Sequence, residues 1–533
     1  MRRLNIVAAA IATTLPLIAV YPAEASTATT TVTPPDQAAG PGQYHSENKS
    51  FEFSEIDVAA GLIGRKHSVS AVTGGMAQPR SLPASRTDLS AFGPGWEVEI
   101  LGGLTGRKLE TQSGAVLVTE LGSGIQVRYV FKSGDSLPGG GGVNRYEAED
   151  GSTLTETTRP DAGVMRTTIV ETVAGDLSAT EPGDDTFTDA SGNPIAAADL
   201  NQTYTWEQAG VSGDMWRVTG IGTKAFDVST VKYDAQGRVA SVHEPGVGEA
   251  PKVTLEFAYA TSTTAVGGTF GDYAGRLKKI TAASGAGAPE TVAAYGYDVA
   301  GLLRSVTDPG DGGLSSTYSY DGVGRLTAFD SHQSGGWQLA YAGQSALPTA
   351  TSTSATRWGD ASDTPPPDLN PTPPQQSPGP VAGPMAYPSS CNRAHHWMYY
   401  SRSGCSAWAA HYGWHRPYWR QLPSRRWVVG IFNDHCTSAP DRPFGFDFRP
   451  ACDMHDYGYG VIGNSWKTWY YPYHLDRSRK GEVDTLFYTT LRDWTCNAYP
   501  WYKRGLCRNT ALTYHAAVRA RGNPKNGADA TRP

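Results

Sequence analysis

The sequence predicts a multidomain chain: an antiparallel, β-rich N-terminal region carrying hairpin repeats, followed by a small C-terminal domain with helices and disulfides. Three observations predict it. Alternating apolar and polar runs, broken by Gly, Asp, Ser and Pro, recur over residues 51–345, and period-two alternation between turn residues marks half-buried antiparallel strands. A proline-rich stretch over 346–390 then interrupts the pattern. All six cysteines, at 391, 405, 436, 452, 496 and 507, lie beyond it.

With 533 residues the chain is long enough for several cores, at roughly 100–200 residues per domain. Only 18% of residues are charged, 39% are hydrophobic, and there are 61 Gly and 36 Pro. That composition excludes a coiled coil and a highly charged disordered chain. The net charge of −6 hides an asymmetry, because residues 391–533 carry +10 and leave −16 on residues 1–390. Opposite charge on two parts of one chain favours their docking on each other, or a basic surface that meets anionic partners.

At the N-terminus, Arg2 and Arg3 precede an apolar run over 4–20, and Ala23-Glu24-Ala25 supplies a small-x-small cleavage pattern. These features predict a signal peptide over 1–25 and a secreted, extracellular protein. The run is shorter than the roughly 20 apolar residues that span a bilayer. Residues 26–50 begin rich in Thr, Ala and Pro, and a segment with so little apolar surface is expected to be flexible. A β-rich domain is expected over 51–230, with runs such as Trp96-Glu97-Val98-Glu99-Ile100 and Gln126-Val127-Arg128-Tyr129-Val130 as its strands.

Over 231–345 a repeat appears. Tyr233-Asp234-Ala235-Gln236-Gly237-Arg238-Val239 is echoed at Asp272-Tyr273-Ala274-Gly275-Arg276-Leu277, at Tyr297-Asp298-Val299-Ala300-Gly301-Leu302-Leu303 and at Tyr320-Asp321-Gly322-Val323-Gly324-Arg325-Leu326. Asp and the central Gly build a tight turn, since Gly takes φ > 0 without strain, so each unit reads as a hairpin. The pattern resembles the YD repeats of RHS and teneurin-like proteins, and Phe92-Gly93-Pro94-Gly95-Trp96 resembles the segments that precede such repeats. Four copies are fewer than the closed shell of the large members needs, so an open sheet is expected. The prolines over 346–390 favour extended polyproline II and a semi-rigid linker.

The cysteine-bearing domain is expected over 391–533. An even cysteine count reads as three disulfides or, less often, metal ligands, and no Cys-x-x-Cys pair supports zinc. A helix is predicted over 450–462, with Pro450 in its first turn and Gly463 at its end. It places Cys452, His455 and Tyr459 on one face. A second helix is predicted over 481–494, where Val483, Leu486, Phe487, Thr490, Leu491 and Trp494 form an apolar stripe with Asp484 at its border. A carboxylate there is costly unless paired, and His455 is its natural partner; Asp476 is the competing one. Asp434 and Asp456 are hard oxygen donors suited to calcium. A His/Asp pair beside such carboxylates points to hydrolysis with water as nucleophile.

Asp434-His435-Cys436, Cys452-Asp453-Met454-His455-Asp456-Tyr457-Gly458-Tyr459 and Val483-Asp484-Thr485-Leu486-Phe487-Tyr488, in that order, resemble the secreted prokaryotic phospholipase A2 family over roughly residues 427–522. The resemblance implies a small all-α disulfide-linked domain and a calcium-dependent hydrolase that cleaves the sn-2 ester of glycerophospholipids at a membrane surface. It implies His455 as general base and Asp484 as the acid that orients it. Asp434, Asp456 and the backbone carbonyl of His435 would hold Ca2+. It pairs Cys436 with Cys452 and Cys496 with Cys507, and leaves Cys391 and Cys405 as an added pair. The aromatic insertion between Tyr459 and Val483, with Trp466, Trp469, Tyr470, Tyr471 and Tyr473, departs from the family. The phospholipid surface is the expected partner, with no nucleic acid. By analogy with RHS proteins the architecture suits a delivered toxin, and any self-protection partner is not legible. Two other readings stay open at this point: a surface or carbohydrate-binding repeat protein with a non-catalytic C-terminal domain, and a nuclease using His455 and a metal.

Overall fold

A computed structural model describes most of residues 36–353 and 391–522. Residues 1–35, 354–390 and 523–533 lie outside the description, as do 178–185, 210–214, 247–251, 400–404, 407–417, 432–434, 471–474 and some shorter stretches. The expected signal peptide and most of the expected linker therefore fall outside the described residues.

Among the described residues, eighteen strands over 107–352 form an antiparallel wall in which each strand pairs with the next in the chain, from Arg107–Gln112 with Ala115–Glu120 to Gly335–Tyr341 with Pro348–Ser352. The wall closes on itself, with its last strand, Pro348–Ser352, next to its first, Arg107–Gln112. The open sheet expected from four repeats is corrected here. Ser229–Tyr233 pairs with both Met215–Gly222 and Val239–Glu244, so the repeat hairpins continue the upstream ladder. A bare strand edge offers unpaired N–H and C=O groups, and adding strands of the same twist satisfies them.

The repeats show how sequence makes this wall. In the first, Asp234 Oδ1 accepts hydrogen bonds from the backbone N–H of Gln236 and Arg238, both at 2.9 Å, while Gly237 takes φ +72°. The Arg238 guanidinium pairs with Asp234 at 2.8 Å and lies over the Tyr259 ring at 4.0 Å. Tyr259 in turn donates its hydroxyl to the Val239 carbonyl at 2.9 Å. Asp321, Arg325 and Tyr341 repeat the arrangement, and Asp298 does so with Arg304 over Tyr320. Each of these three units is thereby stapled to the next by a cation–π contact and a tyrosine hydroxyl, whereas Arg276 of the remaining copy donates to the Ser90 carbonyl at 2.9 Å.

A second antiparallel sheet, six-stranded among the described residues, covers 37–99. Its Phe51, Phe53, Trp96 and Val98 share one buried cluster with wall residues that include Tyr318 and Phe329. Phe53 stacks on Phe329 at 4.5 Å between ring centroids, and Trp96 meets Tyr318 edge-on at 5.0 Å. Gln37–Ala39 and Gly42–His45 fall where a flexible N-terminus was expected. They are strands instead, because Ser50–Val58 extends their ladder and Asp36 is held by Arg504 and by His45 at 2.9 Å.

The C-terminal part contains helices α1 (Ala394–Met398), α2 (Arg449–Val461), α3 (Lys480–Thr489) and α4 (Trp501–Arg521). Past Thr489 the chain widens into a π-helical turn, Thr490–Thr495. The helical picture gains a hairpin, Tyr418–Gln421 with Trp427–Gly430, reversed through Arg425 at φ +67°. Three disulfides join Cys391 to Cys405, Cys436 to Cys452 and Cys496 to Cys507. Among the described residues no helix is long and apolar enough to cross a membrane.

The two parts pack directly. Leu62, Leu177, Phe187, Leu200 and Phe226 share a buried apolar cluster with C-terminal residues such as Val483, Phe487, Tyr488 and Tyr514. Arg492 pairs with Glu99 at 3.1 Å, Arg519 with Glu244 at 2.8 Å and Arg393 with Asp308 at 3.6 Å, and Arg504 pairs with Asp36. In each pair the cation comes from the basic part, so the charge asymmetry of the sequence is met across this contact.

Candidate active site

The site is built on α2 and α3, which pack against each other. Pro450 lies in the first turn of α2, and the helix buries Cys452, Asp453, Met454, His455 and Tyr459. The Cys436–Cys452 bridge, with Cα atoms 5.1 Å apart, fastens the chain around His435 to the first turns of that helix. On α3, Val483, Asp484, Phe487 and Tyr488 are buried.

His455 Nε2 lies 2.9 Å from Asp484 Oδ1. The Tyr459 hydroxyl donates to the same carboxylate oxygen at 2.8 Å, and Lys480 Nζ donates to the other at 2.6 Å. Burial by itself raises the Asp484 carboxyl, but the hydrogen bond with His455 and the charge of Lys480 outweigh it and hold its pKa at about 2. Burial and the neighbouring Asp484 charge push the Tyr459 phenol well above its ordinary value, so it stays a donor. The His455 ring has Tyr459 at 4.2 Å and Phe487 at 4.8 Å as aromatic neighbours. Its Nδ1 makes no hydrogen bond among the described residues. An imidazole held through one nitrogen with the other open is arranged to accept a proton.

Asp456 follows His455 on α2 and is partly exposed. Asp434 and the competing partner Asp476 lie outside the described residues. His435 sits at φ +60°, and its carbonyl accepts a hydrogen bond from Thr437 N at 3.1 Å. Its ring Nδ1 lies 2.7 Å from Asp453 Oδ1, and Arg420 Nε donates to Asp453 Oδ2. The hydrogen bond to Asp453 raises the His435 imidazole above its ordinary pKa against the opposing effect of burial.

Among the described residues alone, no three His, Cys, Asp or Glu side chains cluster as a metal site. The donor chemistry nevertheless suits calcium. The Asp456 carboxylate and the His435 carbonyl are hard oxygen donors, and every cysteine is closed in a disulfide and withdrawn from softer metals.

Lys480 and Asp453 escaped sequence reasoning, and Tyr459, expected on the face of His455, was not foreseen as a donor to Asp484. Tyr459 and Lys480 were detectable as i+4 from His455 and i−4 from Asp484, the spacing that brings helical side chains together. Asp453 had no such signal, because its partners His435 and Arg420 are distant in sequence.

Comparison with known proteins bears on this arrangement. Residues 420–522 match the family of prokaryotic phospholipase A2. Residues 297–328 match the RHS repeat. The phospholipase A2 segment holds His455, Asp484 and the Cys436–Cys452 bridge. A secretory phospholipase A2 of Arthroderma benhamiae is 59% identical over 27 residues, which is 5% of this chain and 18% of that protein. A secretory phospholipase A2 of Beauveria bassiana is 30% identical over 90 residues, 17% of this chain and 42% of that protein. The chain thus spans less than half the length of these curated relatives. A chain in a structure of the Photorhabdus luminescens Tc holotoxin pore aligns with 60% of this chain and 20% of its own length, at 10% identity and a TM-score of 0.16.

Proposed function

We propose that the protein is a secreted, calcium-dependent phospholipase A2 that hydrolyses the sn-2 ester of glycerophospholipids at a membrane surface, giving a fatty acid and a lysophospholipid. The hydrogen bond between His455 Nε2 and Asp484 Oδ1, at 2.9 Å, carries this reading. Neutral His455 removes a proton from water through Nδ1 as the water oxygen attacks the ester carbonyl, and later returns that proton to the leaving alkoxide. Asp484, anionic far below neutral pH, stabilises the imidazolium and fixes the ring. Tyr459 and Lys480 hold the carboxylate still. The carboxylates of Asp434 and Asp456 and the carbonyl of His435 would hold calcium, which when bound offsets the charge developing on the ester oxygen and that of the lipid phosphate.

In this reading the acidic β-rich region carries and shields the basic lipolytic part, as its ion pairs with Arg393, Arg492, Arg504 and Arg519 support. The test of regiochemistry is a phospholipid with distinguishable acyl chains. The expected product is the sn-2 acid with the matching lysolipid; release of a phosphorylated headgroup, or of neither acid, contradicts the proposal.

A further inference from the structure

Asp453 is fully buried and stands two residues before the proposed base, yet it has no part in the reaction as derived. Isolating a carboxylate from water is costly unless its lone pairs are met, and here they are met from two separate segments. Arg420 Nε on the strand Tyr418–Gln421 donates to Oδ2, and the His435 ring faces Oδ1 at 2.7 Å. The backbone around Asp453 is close to a third: its carbonyl accepts from Ile431 N at 3.2 Å, and a Cβ on Gly430 would lie 2.9 Å from the Asp453 Cβ. Glycine at 430 therefore lets the backbone of residues 430 and 431 lie against α2. Next to His435, the Cys436–Cys452 bridge fastens residue 436 to α2, and Cys436 N donates to Asp441 Oδ1 at 3.0 Å.

We propose that Asp453 is a positioning residue that clamps the His435 ring and thereby sets the His435 peptide, at its left-handed φ of +60°, in the orientation that presents its carbonyl to a divalent cation. This rests on the calcium-dependent reading above. A backbone ligand has no rotamer of its own, so its aim depends on what holds the peptide. The disulfide fixes the peptide on one side of His435, and the Asp453 clamp fixes the side chain of His435 itself.

The test is calorimetric titration of calcium into the full-length protein, with each variant also melted in EDTA. His435→Ala and Asp453→Asn are expected to weaken calcium binding about tenfold or more, the size typical when a partner that orients a metal ligand is lost. His435→Asn is expected to recover most of it, since Asn presents an amide N–H near the position of imidazole Nδ1 and tolerates left-handed φ. His435→Ala removes a partly exposed ring, so it decides the matter even where Asp453→Asn fails to fold. A wild-type calcium affinity in His435→Ala overturns the clamp, whatever its melting temperature. A wild-type protein that binds no calcium overturns the calcium-dependent reading and the clamp with it.

Discussion

The hydroxyl of Tyr488, on the helix that bears Asp484, donates to the carbonyl of Gly102 at 3.2 Å, across the contact between the helical part and the β-rich region. Gly102 takes φ +71°, and a Cβ there would sit 2.2 Å from the Tyr488 Oη. The two parts therefore approach so closely that one methyl group is too much.

Gly102→Ala is accordingly expected to destabilise the protein by about 1–3 kcal/mol, through overpacking and the strained backbone. Thermal unfolding should show a lower Tm. Limited proteolysis should also cut the helical part sooner. An unchanged melting curve would mean that the two parts are not held together at this point.

The acid limb of stability reports on Asp484. Its pKa is about 2 in the folded protein against 3.8 ordinarily, so its pairing stabilises fully above pH ~4 and is lost as pH falls through about 2. Asp484→Asn should cost on the order of 2 kcal/mol at neutral pH, and the gap to wild type should close between pH ~4 and ~2. Glu482, also held at about 2 by its His395 and Arg393 partners against the effect of burial, titrates in the same window and is present in both proteins. A gap that stayed constant across this range would show that Asp484 is not held as a paired anion.

Replacing both Cys436 and Cys452 by Ser opens a loop with a sequence separation of 16. A loop of that size corresponds to about 3 kcal/mol in the chain-entropy description. Denaturant unfolding should register the loss, and calcium binding should weaken with it because His435 adjoins the bridge. Unaltered calcium binding would separate this disulfide from the cation site.

Much of this protein is legible in its sequence where the signal is local. Asp234, Gly237 and Arg238 specify a turn within five residues, and the structure builds that turn. The faces of α2 and α3 follow from spacing alone, which is why His455 and Asp484 could be paired before any coordinates. What sequence left open depends on distant partners. Asp36 anchors strands in a segment whose composition reads as flexible, because Arg504 lies 468 positions away. Closure of the wall depends on Pro348–Ser352 returning to Arg107–Gln112, far earlier in the chain, which no turn encodes. Asp453 looked like an ordinary helix residue until Arg420 and His435 were brought to it.

The proposed chemistry requires an imidazole, and Lys480 offers a contrast beside it. Lys480→Met removes the donor to Asp484 Oδ2 and leaves the Tyr459 and His455 contacts in place. It is expected to lower kcat about tenfold, less than the roughly 100-fold or more that loss of the general base itself costs, with a smaller change in KM. A loss confined to KM would place Lys480 in lipid binding instead.

The most direct measurement is release of labelled sn-2 fatty acid from phospholipid vesicles by the full-length protein, with calcium or with EGTA, for wild type and His455→Ala. The account predicts release by wild type with calcium, its loss in EGTA, and a fall of at least about 100-fold on removing the general base. Equal release in all four conditions would contradict it.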